Sequence, residues 1–157
     1  MKKFFWLILF ACVSVLSVYL IHNMNSNGLF NPNWWKTATV EKVQKEIENI
    51  KTDTDINSRD HEDGKTPLMF AAEFNENPES IKILIGAGAD VNARDKKNRT
   101  ALMFAASNNY NIEIVKTLIM SGADVNAKDK DGKTALTYAE KIGNSAIAKV
   151  IIAAESE

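Results

Sequence analysis

Few residues in this 157-residue chain are of a type and spacing to do covalent or metal chemistry. The single cysteine, Cys12, cannot form an intramolecular disulfide and excludes a cysteine-built zinc or iron–sulfur site. The two histidines, His22 and His61, lie 39 positions apart with no third partner, which nearly excludes imidazole metal chemistry. His61 has no motif around it, so no serine, histidine and acid constellation can be assembled. Gly86-Ala87-Gly88-Ala89-Asp90 begins like a dinucleotide loop. Val91 takes the third glycine position, however, and the stretch ends a helix where such a loop must open one. Asp129-Lys130-Asp131-Gly132 hints at a calcium loop, but its glycine comes two positions early, Lys133 takes a ligand place and no glutamate closes it. Asn98-Arg99-Thr100 is a glycosylation sequon by letter only, since Thr100 is expected to cap a helix. These residues point to a protein that is not an enzyme and takes no cofactor or metal.

The charge balance removes another class. With 19 basic and 20 acidic residues the net charge is −1, and the basic excess that drives phosphate-backbone binding is missing. Nucleic acid is not an expected partner. At 45% hydrophobic and 25% charged residues, the composition is that of a folded domain.

The elements that organise the chain begin with an apolar segment. After Met1-Lys2-Lys3, residues 4–21 carry no charge. As a helix they would reach roughly 27 Å, just enough for a hydrocarbon core of ~30 Å. The two leading lysines put the amino terminus inside. An uncleaved signal anchor needs only this span. A cleaved signal peptide needs a small-residue site, and the best, Val15-Leu16-Ser17, sits inside the apolar run. A lipoprotein reading rests on Leu9-Phe10-Ala11-Cys12, where the stretch before the cysteine is short. Residues 22–35, rich in Asn, Ser, Gly and Pro, read as a flexible linker. Trp34 and Trp35 lie too far past the span for an interfacial belt and are expected to pack at the start of the folded domain.

The rest is an internal repeat. Thr66-Pro67-Leu68-Met69-Phe70-Ala71-Ala72 returns as Thr100-Ala101-Leu102-Met103-Phe104-Ala105-Ala106 and, weakened, as Thr134-Ala135-Leu136-Thr137-Tyr138-Ala139-Glu140, each 34 residues on. Gly88-Ala89-Asp90-Val91-Asn92-Ala93 returns as Gly122-Ala123-Asp124-Val125-Asn126-Ala127 at the same interval, with a fainter copy from Asp53 to Asp60. Thr66 can cap a first helix that Pro67 starts. Asn75, Asn77 and Pro78 break it. Ile81, Leu84 and Ile85 sit at helical spacing in a second helix, as do Val115, Leu118 and Ile119. Gly88 and Gly122 end the second helices. Each unit is a helical hairpin with a projecting turn.

These units resemble the ankyrin repeat over residues 36–157. Gly-Lys-Thr-Pro-Leu at 64–68 and Ala-Gly-Ala-Asp-Val-Asn-Ala at 87–93 match that family's signature in order and register. The resemblance implies a mainly α fold, an ankyrin-repeat solenoid of helix–turn–helix units with projecting β-turns, preceded by one N-terminal transmembrane or signal helix. The units are a cap (36–60) with an amphipathic helix at Val40, Val43, Ile47 and Ile50, repeats 61–94 and 95–128, and a terminal repeat 129–157. The familiar period is 33, and the extra residue here lies near Asn75–Pro78 and Asn109–Ile112. Met69 and Met103 stand where the family has His, so that histidine's hydrogen bonds are expected to be lost. Asn98 replaces a turn glycine and Asp53 a helix-ending one. The first projecting turn is one residue longer than the next, and Glu140 replaces the second alanine.

The resemblance implies that another protein binds the concave surface. Its variable positions are Arg94, Lys96, Lys97, Arg99, Lys130 and Lys133 on the turns, and Met69, Glu73, Phe74, Met103, Ser107 and Asn108 on the inner helices. The basic central turn would orient an acidic partner, unless its charges are ordinary solvated ones, and Phe74 would anchor it, unless it packs on the next unit. None of Lys96, Lys97 and Arg99 reads as a cap or core position. The expected function is a monomeric protein-binding module in which residues 4–21 contact the lipid bilayer. The repeats would then lie outside the cytoplasmic membrane or, after cleavage, be secreted or periplasmic. The alternatives are an immunity or inhibitor protein against an exported toxin or enzyme, and an accessory factor for an envelope enzyme.

Overall fold

The computed structural model describes residues 28–50 and 56–156. The apolar run 4–21, Cys12 and Asp53 lie outside the described residues. No helix among the described residues is long and apolar enough to cross a membrane.

Among the described residues a 3₁₀ turn, Gly28–Phe30, is followed by eight α-helices: α1 (Pro32–Thr37), α2 (Val40–Ile50), α3 (Pro67–Phe74), α4 (Pro78–Gly86), α5 (Ala101–Asn108), α6 (Ile112–Met120), α7 (Ala135–Lys141) and α8 (Ser145–Glu155). α3 with α4, α5 with α6 and α7 with α8 pack as helical hairpins, and α1 and α2 take the inner and outer places ahead of them. The inner helices α1, α3, α5 and α7 pack side by side, and the outer helices α2, α4, α6 and α8 make a second row behind them. Leu68, Met69, Leu102, Met103, Ile81, Leu84, Ile114 and Leu118 fill the space between the rows. The buried pairs Ala71-Ala72 and Ala105-Ala106 let neighbouring inner helices approach closely. Glu140, at the second-alanine position of the terminal repeat, is exposed.

Local chemistry sets the helix ends. The Thr66 hydroxyl accepts from the Met69 N–H at 3.4 Å and Pro67 opens α3. Met69 keeps a bond where the sequence suggested a loss, because its thioether sulfur accepts from the Thr66 N–H at 3.5 Å. Thr100 holds the cap position of α5, but its hydroxyl makes no cap bond and is buried without a partner. Outer helices end on Gly88 (φ 98°) and Gly122 (φ 89°), with the Ala89 N–H bonded to the Leu84 carbonyl and the Ala123 N–H to the Leu118 carbonyl. Asn98 takes φ 60° in the central turn, the left-handed conformation its neighbours leave to glycine.

The fold starts earlier than expected. Residues 28–35 are not linker: they supply the inner helix of the cap unit. Asn31 caps α1, accepting from the Asn33 and Trp34 N–H groups, with Pro32 at its first turn. Asn31-Pro32 is thus a copy of Thr66-Pro67. Trp35 is fully buried and its indole N–H donates to the Leu29 carbonyl at 2.9 Å. The packed cap unit therefore begins at about 28 rather than 36, with the 3₁₀ turn and α1 both lying against α3. Of the four apolar positions expected on the cap helix, Val43 and Ile47 are buried and Val40 is half-buried, while the Ile50 side chain lies outside the described residues.

The extra residue of the 34-residue period is built around asparagine. Asn75 and Asn109 follow the inner helices and are buried. The Asn109 amide donates to the Ala72 carbonyl (3.0 Å) and the Asn75 carbonyl (2.7 Å) of the preceding repeat. Asn75 does the same to the Trp35 (2.9 Å) and Ala38 (3.3 Å) carbonyls. Each side-chain oxygen accepts from the N–H two residues on, in Asn77 and Asn111. The terminal repeat has Gly143 (φ 72°) instead, and its inner helix α7 is one residue shorter than α3 and α5.

Candidate functional site

The projecting turns are joined to one another, and this consumes most of their charge. Lys96 donates its ammonium to the His61 (2.6 Å) and Glu62 (2.8 Å) carbonyls of the turn before. The Arg94 guanidinium donates to the Lys128 carbonyl at 2.9 Å, as Arg59 does to the Arg94 carbonyl. Arg99 pairs with Asp95 at 2.7 Å, and the Asp95 side chain is fully buried. The Arg99 guanidinium also lies 4.5 Å from the centre of the Phe104 ring. Lys133 pairs with Asp131 at 3.1 Å. Lys96 and Arg99 are therefore structural ties, contrary to the sequence reading, because a turn's cations face the carbonyls and carboxylates of its own stack. Lys97 and Lys130 are exposed, their backbones joined by the Lys130 N–H to the Lys97 carbonyl at 3.0 Å.

The inner helices need a similar correction. Met69 and Met103 are buried between the helix rows, out of a partner's reach. Helical periodicity could not settle this, since the inner helices carry apolar residues on nearly every side. Glu73 pairs with Lys65 at 2.8 Å and accepts from the Asn108 amide at 2.8 Å. Lys65 in turn sits over Phe70 (5.3 Å) and Phe104 (4.6 Å). Ser107 is half-buried, donating to the Phe104 carbonyl. Phe74 is half-buried, stacked on Phe70 with ring centres 6.4 Å apart, and the Lys36 ammonium lies 5.7 Å over it.

At the terminal repeat the aromatic position is Tyr138. Its hydroxyl donates to Asp129 at 2.6 Å. Burial first, then the bond to the Asp129 carboxylate, pushes the Tyr138 pKa up to about 12. Burial works to raise the Asp129 pKa, but the Tyr138 hydroxyl, the Lys133 and Asp131 amides and the Lys133 charge together hold it below its ordinary value.

What these ties leave open lies at the other end of the inner helices. A cleft of about 590 Å³ is lined by Lys36, Glu73, Phe74, Glu76, Asn108, Asn109, Tyr110 and Asn111. Phe74, Glu73 and Asn108 come from the expected list. Tyr110 does not, yet it is 82% exposed. Its signal was in the sequence: it is the middle residue of Asn109-Tyr110-Asn111, where the repeat carries its extra position. With both asparagines held by their bonds, the residue between them turns outward. A second hollow of about 570 Å³ lies between the 3₁₀ turn and the first projecting turn, lined in part by Phe30, Asp60, His61, Glu62 and Phe70. Among the described residues no group of three or more His, Cys, Asp or Glu side chains is placed to hold a metal ion.

Comparison with known proteins adds a family. The profile described as ankyrin repeats (3 copies) matches residues 38–129 and 68–157. No curated protein matches the chain. Ankyrin repeats are protein–protein interaction modules, and the stacked hairpins, the projecting turns and the profile agree. The chain belongs to the ankyrin-repeat family.

Proposed function

We propose that the repeats hold a partner protein in the Phe74–Tyr110 cleft, and that residues 4–21 tether them to the outer side of the cytoplasmic membrane. The observation that carries the binding reading is Tyr110, a large aromatic side chain standing 82% exposed beside a half-buried phenylalanine in a cleft. Aromatic side chains that a partner desolvates at the centre of an interface are among those that dominate its energy. The turn cations Lys97 and Lys130 add long-range attraction for an acidic region of the same partner. Support for the tether comes from the sequence alone: an uncharged run of spanning length behind two lysines. Inhibitor and accessory-factor roles would use the same surface with different partners.

A photo-crosslinking amino acid at position 110, and separately at Lys82 and Lys116 on the outer helices, tests the surface in the native host. The expected result is one adduct band from position 110, lost with Phe74→Ala, and none from the outer positions. Adducts from Lys82 or Lys116 alone would move the working surface to the convex side. An alkaline phosphatase fusion after residue 157 should be active. An inactive fusion would overturn the outward orientation.

A further inference from the structure

The two loops that carry the extra residue form a subsite with a definite chemistry. Glu76 and Tyr110 are equivalent positions of adjacent repeats, 34 apart, and both line the cleft. Their loops are tied backbone to side chain: the Asn109 amide donates to the Asn75 carbonyl at 2.7 Å and the Asn111 amide to the Glu76 carbonyl at 2.5 Å. Neighbouring helices in such a stack lie about 8–10 Å apart, a gap that one long side chain laid along the groove can bridge.

The charges of the lining are nearly all met. Glu73 is neutralised by Lys65 and bonded by Asn108. Lys36, the cation of the lining, is over the Phe74 ring. The Asn109 and Asn111 amides are spent on carbonyls. What is left is the Glu76 carboxylate, exposed and in no ion pair among the described residues, and the bare ring and hydroxyl of Tyr110. The cleft already shows how it treats a cation, since Lys36 lies against one of its two aromatic rings.

We propose that the Glu76–Tyr110 half of the cleft seats an arginine side chain of the partner, its guanidinium stacked on Tyr110 and paired with Glu76. This rests on reading the cleft as the partner contact. Arginine fits better than lysine because its planar guanidinium stacks on a ring and at the same time presents two parallel N–H donors to a carboxylate. The partner segment thus carries an arginine, whatever acidic surface meets Lys97 and Lys130 on the projecting turns.

The test is a titration of the ¹⁵N-labelled full chain in a non-ionic maltoside with acetyl-Gly-Arg-Gly-amide, followed by amide chemical shifts. The control peptide has citrulline, the neutral isostere, in place of arginine. The arginine peptide should shift the Glu76, Asn108, Tyr110 and Asn111 amides, and citrulline should not. Glu76→Gln and Tyr110→Ala should each weaken the binding about fivefold or more, while Tyr110→Phe keeps it. Among the described residues neither side chain makes an internal bond, and unchanged spectral dispersion will show the variants folded. Equal shifts with citrulline, shifts gathered at Asp60–Asp63, or no shifts overturn the proposal. If crosslinks from position 110 persist while the arginine peptide moves nothing, the cleft is the contact and arginine is not what it takes.

Discussion

Replacing Asn109 with alanine tests whether the asparagine joints hold the stack together. The side chain makes three hydrogen bonds in a buried setting: to the Ala72 carbonyl at 3.0 Å, to the Asn75 carbonyl at 2.7 Å, and from the Asn111 N–H at 2.9 Å. At about 1 kcal/mol for each bond, with buried groups left unpaired pulling the figure upward, the loss comes to about 3 kcal/mol. For a domain of this size that lowers Tm by roughly 10–15 °C. The comparison is Asn108→Ala, one position away, which loses a single exposed bond to Glu73 and should cost no more than about 0.5 kcal/mol. Urea unfolding followed by circular dichroism reads both, with the m-value unchanged if the transition stays two-state. A loss from Asn109→Ala below about 1 kcal/mol, or one matched by Asn108→Ala, refutes the reasoning. The same variant releases the loop that presents Tyr110, so crosslinking from position 110 should fall with stability at full strength only in the parent.

Three further outcomes follow from the same contacts. Arg99→Ser leaves the buried Asp95 carboxylate without its cation and should cost about 2–3 kcal/mol in urea unfolding, whereas Lys97→Ser should be neutral within about 0.5 kcal/mol; equal effects would contradict the assignment of one as a tie and the other as a free charge. Trp35→Ala removes a fully buried indole and should destabilise the domain by about 3–5 kcal/mol, a change that would do nothing if residues 28–35 were linker. Tyr138 has a folded-state pKa raised to about 12 from 10.0. Its contribution is therefore present below pH 10 and lost as pH climbs from about 10 to about 12. In the acid limb the depressed Asp129 pKa makes its contribution fade as pH falls through the carboxylate range. Tyr138→Phe should flatten the alkaline fall in stability, and a variant with the parent's alkaline profile would sink the linkage.

The sequence by itself determined everything that local rules govern. The threonine starts, the glycine stops and the left-handed Asn98 each act within a few residues, and the 34-residue period is legible by laying the chain against itself. They were enough for the helical hairpins and the family. What the stack decided is every contact between residues about 34 apart. Asn31-Pro32 looks like a loop until α1 packs against α3, with Trp35 fully buried. Met69 and Met103 lie on helices that are apolar almost all round, and only the second helix row shows which side is buried. Lys96 and Arg99 have the composition of a solvated basic turn, yet the neighbouring carbonyls and the Asp95 carboxylate lie within hydrogen-bond reach. Tyr110 is exposed because Asn109 and Asn111 are each tied to the preceding repeat; the two asparagines stand in the sequence, but only the stack brings the Asn75 and Glu76 carbonyls to them.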